Sequence, residues 1–480
     1  MSKKKSNIRI ESDLIGERQL PWDVYYGVQT LRAVENFAIS NIKVGDFPHF
    51  VKALAMVKKA CVKANIKLGL IDLTIANAIA SACDDVIAGH YNDQFVVDMI
   101  QGGAGTSTNM NANEVIANRA LEILGYEKGR YDIVNPNNHV NLSQSTNDVY
   151  PTAIRLCLIL SAPELYEAIA GLGYQCKQKA VDFSDVIKMG RTQLQDAVPI
   201  TLGQEFEAYY ANLKEDLEKL KETASSFREI NLGATAIGTG INTDPEYSSL
   251  AIEELCWIAD MHFIKASNLI EATSDMGDFV LLSSLLKRTA IKVSKMCNDL
   301  RLMSSGPRAG FNEINLPAMQ PGSSIMPGKV NPVIPEVVNQ VAYQVIGNDL
   351  TVTMAAEAGQ LELNVMEPVI VFNILRSMQF LTNALNTLST KCIAGITANK
   401  EHCKNMVYNS IGIVTAVNPY LGYQASTRIA KEALDTGANI IDLIRRDGLL
   451  TDQQLAEILK PENMTQPRRH NKLIVVGDSA

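Results

Sequence analysis

The stretch Pro321-Gly322-Ser323-Ser324-Ile325-Met326-Pro327-Gly328-Lys329-Val330-Asn331-Pro332 concentrates the reactive options of this chain. Prolines and glycines surround two serines, a lysine and an asparagine, so the loop can move yet has few backbone shapes open to it. Lys329 offers a point charge for a carboxylate, and Asn331 adds directional donors. There is no Gly-x-Ser-x-Gly elbow and no histidine in the loop, so an acyl-transfer triad is not indicated. A serine can act as a base instead, where fixed dipoles and a nearby cation stabilise its alkoxide.

Four segments share an odd composition: Gln101–Asn113 (QGGAGTSTNMNAN), Ile133–Asn147 (IVNPNNHVNLSQSTN), Asn231–Thr243 (NLGATAIGTGINT) and Ile314–Gly328 (INLPAMQPGSSIMPG). None carries Asp, Glu, Lys or Arg, although charged side chains normally solvate exposed loops. One reading makes them buried helix connections whose side chains cap helix ends. The reading favoured here makes them neutral hydroxyl, amide and N–H donors around an anion, with no carboxylate to repel it. Other motif classes are weak. The six histidines never fall at metal-binding spacing, and Gly102-Gly103-Ala104-Gly105 lacks the rest of a dinucleotide fingerprint. Gly328-Lys329 is followed by Val330, where a Walker loop needs Ser or Thr.

The elements that must position these loops read as helices. Phe206, Tyr210, Leu213, Leu217, Leu220, Ala224 and Phe227 recur at alternating spacings of 4 and 3, which predicts one long helix over Gly203–Ile230 laid against other long helices. Similar patterns run through Phe50–Leu68, Tyr150–Val181, Leu269–Ser304, Val333–Glu357 and Pro368–Cys392. Strand alternation is scarce, so the middle of the chain reads as a bundle of long helices with mixed or irregular ends. Gln466–Ala480 reads as a loosely held tail.

Composition sets outer limits. The 480 residues are 46% hydrophobic, enough for a sizeable core, and the net charge is −8 without any long Lys/Arg block. That argues against a general nucleic-acid binder. The basic start Met1–Lys5 is not followed by an apolar segment, so no secretory signal is expected. The longest uncharged stretch, Asn405–Thr427, holds three asparagines, a proline and two glycines, and is rejected as a membrane span. Eight scattered cysteines without a Cys-x-x-Cys pair fit a reducing cytoplasm.

Gly322–Pro332 closely resembles the signature loop of the fumarase/aspartase superfamily. The resemblance continues through Tyr25–Thr30, Gly105-Thr106-Ser107, Gln144-Ser145-Thr146-Asn147-Asp148 and Gly190-Arg191-Thr192, and spans roughly Ile8 to Asn463. It implies a mainly α fold of three domains, placed at 1–144 (N-terminal), 145–397 (a central long-helix bundle) and 398–480 (small, C-terminal). It further implies a homotetramer built around a twenty-helix core, with each active site shared by three subunits. The implied chemistry is elimination from a succinyl backbone through a carbanion beside a carboxylate, mostly giving fumarate.

Argininosuccinate and adenylosuccinate lyases usually differ in the serine-loop spacer and lack the Lys-Val-Asn-Pro ending. The choice is therefore between the branch that releases ammonia from L-aspartate and the class II fumarases. Gln193 follows Gly190-Arg191-Thr192 where fumarases usually have histidine. Thr146 stands where they typically show a second serine, and Glu367 where they generally have Lys or Arg. Val134-Asn135-Pro136-Asn137 lacks the histidine of their accessory dicarboxylate site. All four favour the ammonia-releasing branch. Histidine suits protonation of a departing hydroxide, whereas ammonium already leaves as neutral ammonia beside a neutral glutamine. A class II fumarase and a non-catalytic relative, of the kind recruited as lens crystallin, are the alternatives.

By resemblance, Ser323 is the catalytic base that takes the β-proton and leaves an aci-carboxylate. Lys329, Asn331 and Thr192 face the α-carboxylate; Asn147, Gln193 and Thr106 face the ammonium group; Ser145, Thr146, Ser324 and Thr106 hold the β-carboxylate. No organic cofactor is expected and no metal ligand is assigned, with Mg2+ entering at most as an activator. Thr106, Ser145 and Thr146 also admit a reading as helix caps. Asp148 and Arg191 read as loop-fixing residues, Glu336 as a solvated or structural carboxylate, and His139 as structural.

Overall fold

The computed structural model describes residues 8–467. The basic start, and the tail beyond Gln466 and Pro467, lie outside the described residues. A hairpin of β1 (Ile8–Asp13) and β2 (Gly16–Pro21) leads into α1 (Val28–Asn36), α2 (Pro48–Lys67), α3 (Leu73–Ile87) and α4 (Thr106–Ile123). Next come α5 (Thr146–Asp182), a hairpin of β3 (Ile187–Thr192) and β4 (Gln195–Thr201), α6 (Leu202–Thr223) and α7 (Tyr247–Ala259). Then follow α8 (Gly277–Met303), α9 (Val333–Glu357) and α10 (Glu367–Lys391), and short helices from Lys400–Asn409 to Pro461–Met464 finish the described chain. Two further strand pairs are only two residues long. The protein is mainly α, as the helical periodicities imply.

Contacts group the chain into two units. The first takes in the chain up to Tyr166, Glu218–Arg288 and Tyr343–Leu381; the second takes in Glu167–Leu217, Thr289–Ala342 and the chain from Thr382 onward.

In the first unit, α2 begins with Pro48 at its first turn and buries Phe50, Val51, Leu54, Val57 and Cys61. It packs against α3 and α7, and α3 packs against α4. Asp72 caps α3, its side chain accepting the N–H groups of Thr74 and Ile75. Ser283 of α8 donates to Asp349 of α9 at 2.9 Å, and Asn348 of α9 donates to Ser377 of α10 at 3.0 Å. Asn364, fully buried, donates to the last carbonyls of α9 (Ala355 and Ala356, both 3.0 Å) and accepts Met366 N–H at the start of α10. In the second unit, Tyr209 of α6 donates to Asp299 of α8 at 3.0 Å, and Asn339 of α9 donates to the Ser294 carbonyl of α8 at 3.0 Å. Such buried polar pairs fix the register between helices that apolar contacts alone would let slide.

Several boundaries differ from the periodicity. The stripe over Gly203–Ile230 is helical only to Thr223, and Phe227 then sits in a 3-10 turn. Ser225 and Ser226 donate back to the carbonyls of Glu222 and Thr223 at 2.6 and 2.9 Å, so the hydroxyls compete with the next helical turn. Leu269–Ser304 breaks at Asp275, whose extended backbone separates a single turn, Glu271–Ser274, from α8. The larger part of the neutral segment Gln101–Asn113, from Thr106 on, belongs to α4. Asn405–Thr427 forms no continuous helix: it is interrupted at Ser410 and again at Gly422. The one described helix long and apolar enough to cross a membrane is α5, half of whose most apolar window is buried inside the protein. Arg155 on α5 is tied to Asp278 at 2.7 Å, as a core helix requires.

Candidate active site

Three of the four neutral segments lie in the first unit, and one buried aspartate ties two of them together. Asp148, in the first turn of α5, accepts Ser145 N–H (3.0 Å) from its own segment and the N–H groups of Gly233 (3.0 Å) and Thr235 (3.1 Å) from the segment Asn231–Thr243. Asn147 donates to the Ala236 carbonyl at 2.8 Å, and Asn231 returns a bond to the Asn147 carbonyl at 3.0 Å. Burial pushes the Asp148 carboxyl up to about 6, and its three N–H partners keep it from rising further. Asp148 is a loop-fixing residue, as its sequence context implies.

The third segment joins through α4. Gly105 precedes α4 with φ +87°, and a Cβ there would lie 2.5 Å from the ring of Tyr150 on α5. Glycine is therefore required by both backbone and space, and the contact sets where Thr106 emerges. Asn109 and Asn113 of α4 both donate to Asn141 Oδ1 at 3.1 Å. Thr106 is exposed and donates its hydroxyl to the Gly103 carbonyl at 2.8 Å, which leaves its lone pairs outward. Ser145 Oγ accepts Asn147 N–H at 3.2 Å, as a helix cap would, and keeps its own proton to donate. Thr146 opens α5 and is half-buried. Asn147, its amide nitrogen fixed on Ala236, has Oδ1 as its remaining polar atom.

The second unit carries the other named residues. Thr192 ends β3 and Gln195 begins β4, so Gln193 and Leu194 form a two-residue hairpin loop with φ of +54° and +61°. Positive φ at both positions is the signature of the I′ turn, whose twist matches the strands. Thr192 and Gln193 are thereby presented at an exposed tip. Below them Arg191 pairs with Glu313 at 2.7 Å and lies over the Phe311 ring at 4.1 Å, while Lys188 meets the same carboxylate at 3.1 Å. Glu313 is fully buried, so two cations on one carboxylate pin the hairpin.

The serine loop closes on itself. Gly322 N–H donates to the Lys329 carbonyl at 2.7 Å, and the Asn331 amide donates to the Gly322 carbonyl at 2.7 Å. One N–H of Asn331 is thus used as a clamp. Ser323 Oγ accepts two backbone N–H groups, from Ile325 at 3.2 Å and Met326 at 3.1 Å. Ser324 and Lys329 are exposed, and Lys329 makes no ion pair among the described residues. Ser323 Oγ thus sits at two fixed backbone dipoles, which only the folded loop reveals.

Thr106, Ser145, Thr146 and Asn147 belong to the first unit; Thr192, Gln193, Ser323, Ser324, Lys329 and Asn331 belong to the second. His139 accepts Asn135 N–H on Nδ1 at 2.9 Å, and burial holds its imidazole below the usual range, consistent with a structural role. Glu336 is half-buried in the first turn of α9. Sequence reasoning did not single out Lys58, Asn141 and Asn364 as supports; their signal, a polar residue inside an apolar helix face or between two helices, emerges only with burial.

The family model described as Lyase matches residues 16–347, and one described as the fumarase C C-terminus matches residues 413–466. A curated aspartate ammonia-lyase of Pseudomonas aeruginosa is 59% identical over 461 residues, covering 96% of this chain and 97% of that protein. A fumarate lyase:delta crystallin from Brucella melitensis, crystallised bound to cobalt, superposes with a TM-score of 0.94 at 55% identity, over 96% of this chain and all of that one. A class II fumarase from Schistosoma mansoni superposes with a TM-score of 0.91 at 34% identity, also over 96% of this chain and all of that one.

Proposed function

Because this chain belongs to the fumarase/aspartase family of lyases, we propose that it is a carbon–nitrogen lyase that reversibly removes ammonia from L-aspartate to give fumarate. The carrying observation is the 59% identity, over nearly the whole of both chains, to a curated aspartate ammonia-lyase, against 34% to a class II fumarase. Gln193 at the hairpin tip, in place of the histidine usual in fumarases, agrees with that choice.

Ser323, as the alkoxide that two N–H dipoles help to stabilise, takes the β-proton of L-aspartate and becomes the neutral hydroxyl. The C–H electron pair moves into the β-carboxylate as an aci-carboxylate dianion. It returns to form the carbon–carbon double bond as the C–N bond breaks and ammonia leaves from the opposite face. Ser145, with a free hydroxyl proton, suits the β-carboxylate, and Thr146 and Ser324 join it there. Such donors, aimed at the developing charge, are commonly worth several kcal/mol of barrier. Asn147 Oδ1 and the outward lone pairs of Thr106 suit the ammonium group, beside Gln193. Thr106 fits that role better than a second one on the β-carboxylate, because its proton is already committed to Gly103. Lys329, Asn331 and Thr192 take the α-carboxylate.

The site is completed in a homotetramer in which three subunits contribute to each centre. Supporting this, α9 leaves Tyr343, Ile346, Leu350 and Met354 exposed along one stripe, with Met354 at 65%. The division at 144/145 and 397/398 goes with the same reading. A cytoplasmic location accords with eight unpaired cysteines, seven of them buried. No organic cofactor is needed. Mg2+ enters this reading at most as an activator. Incubation with L-aspartate tests the proposal: fumarate and ammonia should accumulate in equal amounts, and ammonia without fumarate would contradict it.

A further inference from the structure

Lys58 is a fully buried lysine without a carboxylate beside it. From α2 its Nζ donates to Asn141 Oδ1 at 2.9 Å and Gln144 Oε1 at 2.8 Å, and among the described residues it makes no ion pair. Asn141 Oδ1 also collects Asn109 and Asn113 of α4, and its amide nitrogen donates to the Gln144 carbonyl at 3.2 Å. The ammonium therefore sits under the turn that delivers Ser145, Thr146 and Asn147, the next residues in the chain.

The groups facing Lys58 do not neutralise it. Burial raises the thiol of Cys61 on α2 to about 12, and pushes the Cys83 thiol of α3 and the Tyr247 phenol of α7 well up, so all three are uncharged near neutral pH. From α4 the amides of Asn109 and Asn113 reach the acceptor that Lys58 uses, Asn141 Oδ1. Asp148 of α5 attracts the ammonium from a distance, with its own oxygens engaged by three backbone N–H groups. An unneutralised buried cation is expensive unless something else supplies the negative charge.

We propose that Lys58 is a positioning residue whose buried charge is completed by the dicarboxylate that binds above it, so that substrate binding and protonation of Lys58 are coupled. The inference rests on the dicarboxylate reading of the site. In the free protein, burial draws the ammonium down to about 8, with Asp148 partly offsetting the fall. A bound dianion favours the charged form and raises that value. The free protein therefore holds less than one proton on Lys58 above about pH 8, and binding takes the remainder up. Affinity falls with rising pH in the same range and is flat, as far as Lys58 is concerned, below it.

Succinate, which has no amino group to titrate, is the probe. Calorimetric titration of the full chain in buffers of different ionisation enthalpy, at about pH 8.5, should show proton uptake on binding; at about pH 6.5 the Lys58 share is gone and only uptake by Asp148 remains. Lys58→Gln and Lys58→Met, with native circular dichroism, should lose the uptake and bind succinate about tenfold or more weakly. Glu367→Gln, which removes the other buried group of this unit titrating near pH 8, should keep the uptake. Undiminished uptake in both Lys58 variants, its loss in Glu367→Gln, or its absence from the wild type would overturn the proposal. If neither Lys58 variant folds, the wild type and Glu367→Gln still decide it. A wild type that binds neither succinate nor fumarate at any pH would overturn the dicarboxylate reading itself.

Discussion

Asp148 accepts the backbone N–H of Gly233 at 3.0 Å, bridging 85 residues of chain. The same carboxylate holds Ser145 and Thr235, so one side chain gathers two segments that the sequence keeps far apart. An amide at this position keeps one acceptor and turns an N–H toward backbone donors. Asp148→Asn should therefore lower stability by about 3 kcal/mol, because buried donors lose their partner. It should also raise KM for L-aspartate about tenfold through misplacement of Ser145. Thermal unfolding and steady-state kinetics on the same preparation check both effects; a native melting temperature would show that the bridge contributes little.

Ser323 is the proposed base, and its role separates binding from turnover. Its oxygen is held by Ile325 and Met326 N–H groups, neither of which depends on the hydroxyl proton. Ser323→Ala should leave the loop clamp between Gly322 and Asn331 intact while cutting kcat by on the order of a thousandfold or more. Succinate affinity, which needs no proton transfer, should stay within about threefold. Near-native turnover in the variant would remove serine from the base role.

Glu367 gives a pH-dependent test of the fold. It begins α10 fully buried, with both oxygens lacking a hydrogen-bond partner, and burial pushes its carboxyl up to about 8, offset in part by Arg155. Between the ordinary carboxylate value and about pH 8 the native state holds a proton that the unfolded chain gives up. Stability from this group accordingly falls as pH rises through that window. Glu367→Gln removes the dependence. Its melting temperature relative to wild type should rise by several degrees from about pH 5.5 to about pH 8. A variant less stable than wild type at the upper pH would mean that Glu367 is ionised and paired.

Much of this was legible in the chain. The helical stripes located α5, α9 and α10 within a few residues, because long amphipathic periods survive tertiary packing. The neutral composition picked out the two segments that Asp148 joins, without showing that they meet, and Gly322–Pro332 picked out the serine loop. What the sequence could not convey was geometry set by distant partners. The I′ turn at Gln193 and Leu194 lacks the Asn-Gly or Asp-Gly pair that usually announces it, and is held instead through the Arg191–Glu313 pair below it. The helix end at Thr223 depends on two serine hydroxyls whose competition with the backbone no periodicity registers. Nothing in the helical pattern of Phe50–Leu68 sets Lys58 apart from Lys59; the fold does, by burying it.

The most direct test compares initial rates of fumarate formation from L-aspartate and from L-malate, followed by ultraviolet absorbance on one preparation of the wild-type protein. Fumarate from L-aspartate, with little or none from L-malate, is the predicted result. Fumarate from L-malate alone would make the protein a hydratase and would contradict the assignment of Gln193 and Glu367 to the ammonia-releasing branch.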